Sequence, residues 1–472
     1  MLNKFFLEQT LKNFHYEPTN EQYKVLEKWS DFLFDRNNDS LFLLKGYAGT
    51  GKSSLVGAVV KTLNELKQKS VLLAPTGRAA KVFSSYSGQN AYTIHKKIYR
   101  LKEFSNESGG FTLSDNLHKN TLFIVDEASM ISNDGLDSSF FGSGRLLDDL
   151  IRYVYNGEGC RLVLLGDSAQ LPPVSQPESP ALDISILQGY GLNVHGMTLT
   201  EVVRQAKTSG ILTNATRLRK KIESNQTNVF PKISTKDGAD VQIVNGEDLL
   251  ETIQDAYNRD GFEETIVITR SNKRANGFNN AIRNHILFRE EELTSGDLLM
   301  VVKNNYHWAK EEDSMDFIAN GDLIEILRIR KMQELYGFRF CDVTAQFPDY
   351  DTEIDMKILM ETLHTDSPAL PKDLNDKLFS AVLEDYEDIP SKREKMKQLK
   401  INPYYNVVQV KYAYAVTCHK AQGGQWKNVF LDLSYIPKEQ VGIEFYRWLY
   451  TAFTRATERI FLINPVKELL EK

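Results

Sequence analysis

The chain has 472 residues, with 57 Lys or Arg against 63 Asp or Glu, a formal net charge of −6. Its 42% hydrophobic and 11% aromatic content fills real cores, which excludes a disordered chain, and the length predicts about two to four domains. The acidic balance excludes a general polyanion-coating protein but not a local basic channel. No stretch approaches the roughly 18 apolar residues of a membrane helix, and the N-terminus has no signal-peptide pattern. Cys160, Cys341 and Cys418 are too scattered for a disulfide framework or a CxxC metal site, so a cytoplasmic, non-membrane protein is expected.

Short apolar runs mark the strands in chain order: 41–44, 71–74, 122–125 and 162–165, each ending at a polar or glycine-rich turn. Runs of this kind fit strands buried on both faces of a parallel sheet, and the helical-length segments between them, such as 52–66, predict an α/β fold. The first run leads into Gly46-Tyr47-Ala48-Gly49-Thr50-Gly51-Lys52-Ser53, a complete G-x-x-x-x-G-K-[ST] phosphate loop between a strand and a helix. Its backbone N–H groups suit phosphate oxygens, Lys52 suits the β/γ-phosphates, and Ser53 suits Mg²⁺. Between 101–104 and 111–113, Asn106-Glu107-Ser108-Gly109-Gly110 predicts a hairpin turn. The third run ends in Asp126-Glu127, where Asp126 suits the metal shell and Glu127 suits polarisation of the attacking water. The fourth ends in Gly166-Asp167-Ser168-Ala169-Gln170, where Gln170 suits a γ-phosphate hydrogen bond. A second set of runs, 265–269, 429–433 and 460–463, predicts a second lobe split by an insertion. From 345 to 400 there are 13 acidic and 8 basic residues, net −5, so the other 416 residues carry −1. This acidic segment is expected to lie away from the motifs.

Taken together, nine segments resemble the motifs of the superfamily 1B DNA helicases, most closely the RecD/Dda-like group. In order they are 19–22, the phosphate loop, 74–81, 92–95, 126–130, 166–170, 199–205, 415–423 and 450–456. The resemblance implies two RecA-like P-loop lobes with a small β-hairpin insertion in the first and an SH3-like insertion in the second. The implied limits are 1–95 and 121–206 for the first lobe, 96–120 for the hairpin, 207–304 and 406–472 for the second lobe, and 305–405 for the SH3-like insertion.

The resemblance also assigns roles. ATP with Mg²⁺ is implied in the cleft, with Gln22 on the adenine. Gly46, Ala48, Gly49, Thr50, Gly51, Lys52, Ser53 and Ser54 would form the phosphate cradle, with Ser53 and Asp126 on the metal. Lys52, Glu127 and Gln170 from the first lobe would act with Arg204 and the arginine finger Arg455. Gln425 stands where relatives often carry Glu and would contact the ribose. Single-stranded DNA would cross both lobes over Pro75, Thr76, Thr93, His95, Thr417, His419 and Lys420, with little base reading. Residues 95–120 hold five basic and three acidic side chains, and Phe104 or Phe111 would stack at the single-strand/duplex junction as a separating pin. The implied activity is an ATP-dependent DNA helicase, 5′→3′ and working as a monomer. The alternatives are a DNA-stimulated translocase with little unwinding, an RNA-acting relative, and a P-loop switch without motor output.

Overall fold

The computed structural model describes residues 2–35, 37–101, 111–135, 142–174, 176–203, 209–236, 239–309, 315 and 317–471. Phe104, Arg204 and the turn at 106–110 lie outside these residues.

Strands that are apolar on both faces require cover on both faces, and the first part of the chain supplies it. In order it forms α1 (Leu2–Asn13), α2 (Asn20–Leu33), β1 (Ser40–Gly46), α3 (Lys52–Glu65), β2 (Ser70–Ala74), α4 (Gly77–Ser87), β3 (Ala91–Thr93), α5 (Ile94–Ile98), β4 (Tyr99–Leu101), β5 (Phe111–Leu113), β6 (Leu122–Val125), α6 (Leu146–Tyr155), β7 (Arg161–Gly166), α7 (Ile184–Gln188) and β8 (Asn193–Leu199). Six of these strands form a parallel sheet ordered β3-β2-β6-β7-β1-β8. Alternation along β1 serves two cores. Leu41 and Leu43 pack with Leu147 of α6 and Leu182, while Phe42 and Leu44 pack with Trp29 of α2 and Leu55 of α3. β4 and β5 pair antiparallel, as the predicted hairpin requires.

The second lobe begins with α8 (Gly210–Glu223), β9 (Val241–Val244), α9 (Leu249–Asp260), β10 (Thr265–Thr269) and α10 (Asn272–His285). The chain then leaves it for a closed barrel of β11 (Leu298–Val301), β12 (Leu323–Leu335), β13 (Phe338–Phe347), β14 (Thr352–Leu359) and, after α11 (Lys372–Glu384) and α12 (Lys392–Ile401), β15 (Val408–Tyr412). It returns as β16 (Ala415–Thr417), α13 (Cys418–Ala421), β17 (Trp426–Asp432), α14 (Ile443–Phe453) and β18 (Ala456–Ile463). The parallel order β16-β10-β17-β18-β9 joins both halves of the lobe.

The barrel is wider in sequence than 305–405. Leu299 pairs with Tyr412, so the closing strands β11 and β15 both lie outside those limits. Both are fully buried runs, which look like lobe strands until their pairing is known. The acidic segment is part of this inserted subdomain. It contains the end of β13 and all of β14, and then α11 and α12 close over their own small core of Phe338, Phe340, Leu378, Val382 and Leu399.

Candidate functional site

The phosphate loop turns at Gly49 and Gly51, each at φ 76°, a left-handed conformation that glycine adopts without a steric penalty. Gly51 caps α3, so Lys52, Ser53 and Ser54 open the helix at its electropositive end, with both serines exposed. Gln22 braces the loop from α2. Its Oε1 accepts the Thr19 N–H at 3.0 Å in a capping box, and its Nε2 donates to the Thr50 carbonyl at 2.9 Å. The amide expected on the adenine is therefore already used once at each end, with one N–H and one lone pair left for a base.

Asp126 ends β6. It lies 3.6 Å from the Lys52 ammonium and accepts the Tyr86 hydroxyl at 2.5 Å. Burial alone lowers the Lys52 pKa, but the carboxylates of Asp126, Glu127 and Asp167 outweigh it and raise the value above the usual lysine range. Glu127 follows at φ 52°, a strained conformation for a non-glycine residue, which aims its side chain across the cleft. Its Oε2 is buried without a partner, and so is Gln170 Oε1. Buried oxygens of this kind require a donor, and for the Glu127 carboxylate an attacking water supplies one. Arg455 approaches from the second lobe, 3% exposed, with Nη1 4.0 Å from Glu127 Oε1. Its guanidinium donates to the carbonyls of Thr451 and Gly424 and to Thr454 Oγ1, which fixes its plane.

Several residues outside the expected set complete the junction. The Tyr450 hydroxyl donates to Asp167 Oδ2 at 2.6 Å and accepts the Ala48 N–H at 3.0 Å, joining α14 to two first-lobe loops. Leu171 N–H donates to Thr451 Oγ1, and Gln422 donates to the Leu171 carbonyl. Burial pushes Asp167 up to about 6, against the lowering effect of Tyr450, Lys52 and the Ala169 N–H. Glu21, next to Gln22, accepts from the Thr200 N–H and hydroxyl and from the Glu201 N–H, pinning the segment that leads to Arg204. Thr451 lies four residues before Arg455, a helical spacing that is its signal in the sequence, whereas Tyr450, five residues before, carries none.

The nucleic-acid candidates collect at the C-terminal ends of the last two strands at one side of the first sheet and of the edge strand of the second. Pro75 and Thr76 follow β2, Thr93 ends β3, and Thr417 ends β16. Thr76 and Thr93 cap α4 and α5 by accepting the N–H groups of Ala79 and Lys96, which leaves each hydroxyl proton free to donate. The two edges meet: a Cβ on Gly423 would lie 2.8 Å from Ala79 Cβ and 3.2 Å from Thr76 Oγ1. His419 is exposed, whereas Lys420 is engaged by the Asn320 side chain, with burial pulling its pKa down to about 8.

One expectation changes, that for Phe111. Burial lowers the His95 pKa to about 4, so its ring is neutral at pH 7. Phe111 is 7% exposed, with its ring 4.6 Å from Tyr306 and 6.0 Å from Phe317, so it is packed inside and not offered to a base. The backbone carbonyl of Gln425 accepts from Arg78 Nη2 at 3.4 Å, while the Arg78 guanidinium stacks 4.5 Å over Trp426.

Comparison with known proteins matches residues 33–230 to an AAA domain and residues 412–463 to a UvrD-like helicase C-terminal domain. The chain is 24% identical over 521 residues to an uncharacterised protein of Acanthamoeba polyphaga mimivirus, covering 94% of this chain and 99% of that one. It is 24% identical to the ATP-dependent DNA helicase Dda of Enterobacteria phage T4, covering 89% of this chain and 93% of Dda. It is 31% identical over 196 residues to the ATP-dependent RecD2 DNA helicase of Deinococcus radiodurans, covering 41% of this chain and 24% of RecD2. Among solved structures, a Bacteroides Pif1 helicase in complex with ADP-AlF3 and single-stranded DNA aligns with a TM-score of 0.47 at 16% identity, covering 97% of this chain and 95% of that one.

Proposed function

We infer that this chain, which belongs to the superfamily 1B helicases and within them to the RecD/Dda-like group, is an ATP-dependent DNA helicase that moves 5′→3′ along single-stranded DNA and opens duplex at the junction. The observation that carries the reading is the cleft itself. Lys52 lies 3.6 Å from Asp126 and Arg455 from the other lobe lies 4.0 Å from Glu127, whose second carboxylate oxygen is partnerless, so these groups converge beside the phosphate loop.

The residues fit Mg·ATP. Lys52 and the loop N–H groups take the β/γ-phosphates, and Ser53 with Asp126 holds the metal ion, which supplies charge neutralisation. Glu127 accepts the proton of the attacking water, Gln170 donates its amide to the γ-phosphate, and Arg455 offsets charge in the transition state. Arg204 remains the candidate for a further γ-phosphate contact. Because Arg455 and Tyr450 come from the second lobe and Lys52 and Asp167 from the first, nucleotide binding and lobe closure are coupled. The hydroxyls of Thr76, Thr93 and Thr417 at these strand ends then grip the DNA backbone without reading sequence. Every ATP-site element lies on one chain, which supports a monomeric motor.

The test is ATP hydrolysis with and without single-stranded DNA or RNA, followed by unwinding of duplexes with 5′ or 3′ overhangs. DNA stimulation and unwinding from 5′ overhangs are expected. No stimulation by either polymer would sink the motor reading, and unwinding from 3′ overhangs alone would reverse the polarity.

A further inference from the structure

Arg270, the residue after β10, differs from the arginines around it in the second lobe. Those are neutralised: Arg274 pairs with Asp432 at 2.7 Å, Arg259 and Arg459 pair with Asp260, and Arg283 pairs with Asp297. Among the described residues Arg270 has no ion-pair or hydrogen-bond partner. Its contacts are aromatic. The guanidinium lies 5.4 Å from the centre of the Phe445 ring and 5.7 Å from that of Trp448, and the two rings stack 6.0 Å apart at 15°. Both rings are buried, whereas Arg270 is exposed. The ring faces attract the cation without using its N–H donors, so the group is held in place with its hydrogen-bonding capacity unspent. Partial withdrawal from water lowers the Arg270 pKa, and no carboxylate works against that shift.

The position in the fold says what such a cation can meet. Thr269 pairs with Thr417 in the register of β10 and β16, so Arg270 leaves the sheet beside the strand end that carries a DNA candidate. Cys418 Sγ donates to the Trp448 carbonyl at 3.5 Å, which fastens the start of α13, with exposed His419, against the helix that carries both rings. The acidic group at this end is Glu444 of α14, which opposes the fall of the His419 pKa but makes no ion pair with Arg270. The other candidates here are uncharged: Thr76, Thr93 and Thr417 offer hydroxyls, and the His95 ring is neutral at pH 7. A polyanion bound by these groups alone would release few counterions.

We propose that Arg270 is a further DNA contact, a guanidinium held on the Phe445–Trp448 stack to take a backbone phosphate of the single strand beside Thr417. The assignment rests on the DNA-motor reading above and adds a charged contact to a track of neutral donors. A guanidinium binds a phosphate through two parallel N–H groups, so the contact fixes the strand without reading its bases.

Fluorescence anisotropy of a labelled oligo-dT, titrated with the full chain over a series of NaCl concentrations, tests this. Arg270→Gln is expected to weaken binding by about tenfold at low salt, the scale of one lost charge-assisted contact. It should also reduce the slope of log Kd against log[NaCl] by about 0.7, the share of one phosphate contact on a single strand. Arg270→Lys should restore the slope. Thermal melts of both variants report whether the aromatic stack survives. An Arg270→Gln protein with an unchanged slope would overturn the proposal, whether or not its affinity or melting temperature falls, because a guanidinium that only covers the rings releases no counterion. A slope lowered equally by Arg270→Lys would overturn it too. Absence of oligo-dT binding by the unmodified protein would overturn the DNA reading itself.

Discussion

Tyr450→Phe deletes one oxygen from the junction between the lobes. That oxygen donates to Asp167 Oδ2 at 2.6 Å and accepts from Ala48 N–H at 3.0 Å, and the residue is 1% exposed, so water does not replace it. A hydrogen bond to a charged group is worth about 1.5–3 kcal/mol, and a stranded buried N–H costs about 1–3 kcal/mol. The two share an atom and are not additive, so the closed junction loses about 3 kcal/mol, roughly two decades in an equilibrium constant. The loss also has a pH signature. Burial holds the Asp167 carboxyl up at about 6, and Tyr450 works against that rise. A carboxyl raised in the folded state contributes stability below its unfolded value of 3.8, and that stability is lost as pH rises through 6. Without Tyr450 the carboxyl rises further, so the variant is penalised most where Asp167 is ionised. DNA-stimulated kcat is therefore expected to fall by about 30–100-fold at pH 8 and by less at pH 6, with nucleotide KM changing little. A kcat within twofold of the unmodified protein at pH 8, or a ratio that does not vary with pH, would refute the reasoning.

Five other outcomes follow from the same geometry. Lys52→Ala should abolish hydrolysis, while Arg455→Ala should cut turnover by about 10³-fold with far less effect on nucleotide affinity measured by titration, as a transition-state contact requires. Gly423→Ala would place a methyl 2.8 Å from Ala79 Cβ at φ 76°, so DNA-stimulated hydrolysis should drop while each lobe keeps its circular dichroism. Phe111→Ala should destabilise the hairpin packing by about 3–5 kcal/mol, read as an early transition in thermal melts, and should lower base pairs opened per ATP. His95 has a folded pKa lowered to about 4, so the stability present above 6.5 is lost as pH falls through that interval. His95→Gln should flatten the acid-side fall of the melting temperature.

Much of this protein was legible because buried strands write continuous apolar runs. The segments 41–44, 122–125 and 265–269 all lie inside observed strands of the two sheets. β8 escaped notice because it is an edge strand whose residues alternate between exposed and half-buried, and Asn193-Val194-His195-Gly196 carries no apolar run. The phosphate loop and Asp126-Glu127 were readable because their chemistry is local. Tyr450 and Asp167 were not, because their contact joins positions 283 residues apart and exists through the lobe arrangement alone. Phe111 was misassigned for a related reason. An aromatic in a short hairpin reads as exposed until Tyr306 and Phe317, from the barrel-side segment, close over it.

The net charge of −6 also changes meaning with the structure. The acidic stretch that holds most of the excess was expected to stand apart from the motifs, yet its first residues reach the first lobe. Asp349 pairs with Lys81 of α4 at 3.1 Å, and Lys81 also donates to the Pro348 carbonyl. The Tyr350 hydroxyl donates to buried Asp322 at 3.2 Å, and a Cβ on Gly77 would meet both groups within 2.8 Å. Gly77 is thus required where the barrel rests on the first turn of α4, directly after Thr76. The barrel is inserted in the second lobe but bears on the helix that positions a first-lobe DNA candidate. Any relative motion of the lobes must therefore slide or strain that contact, and the negative charge at Asp349 acts as an anchor for a basic helix and not as a repellent for DNA.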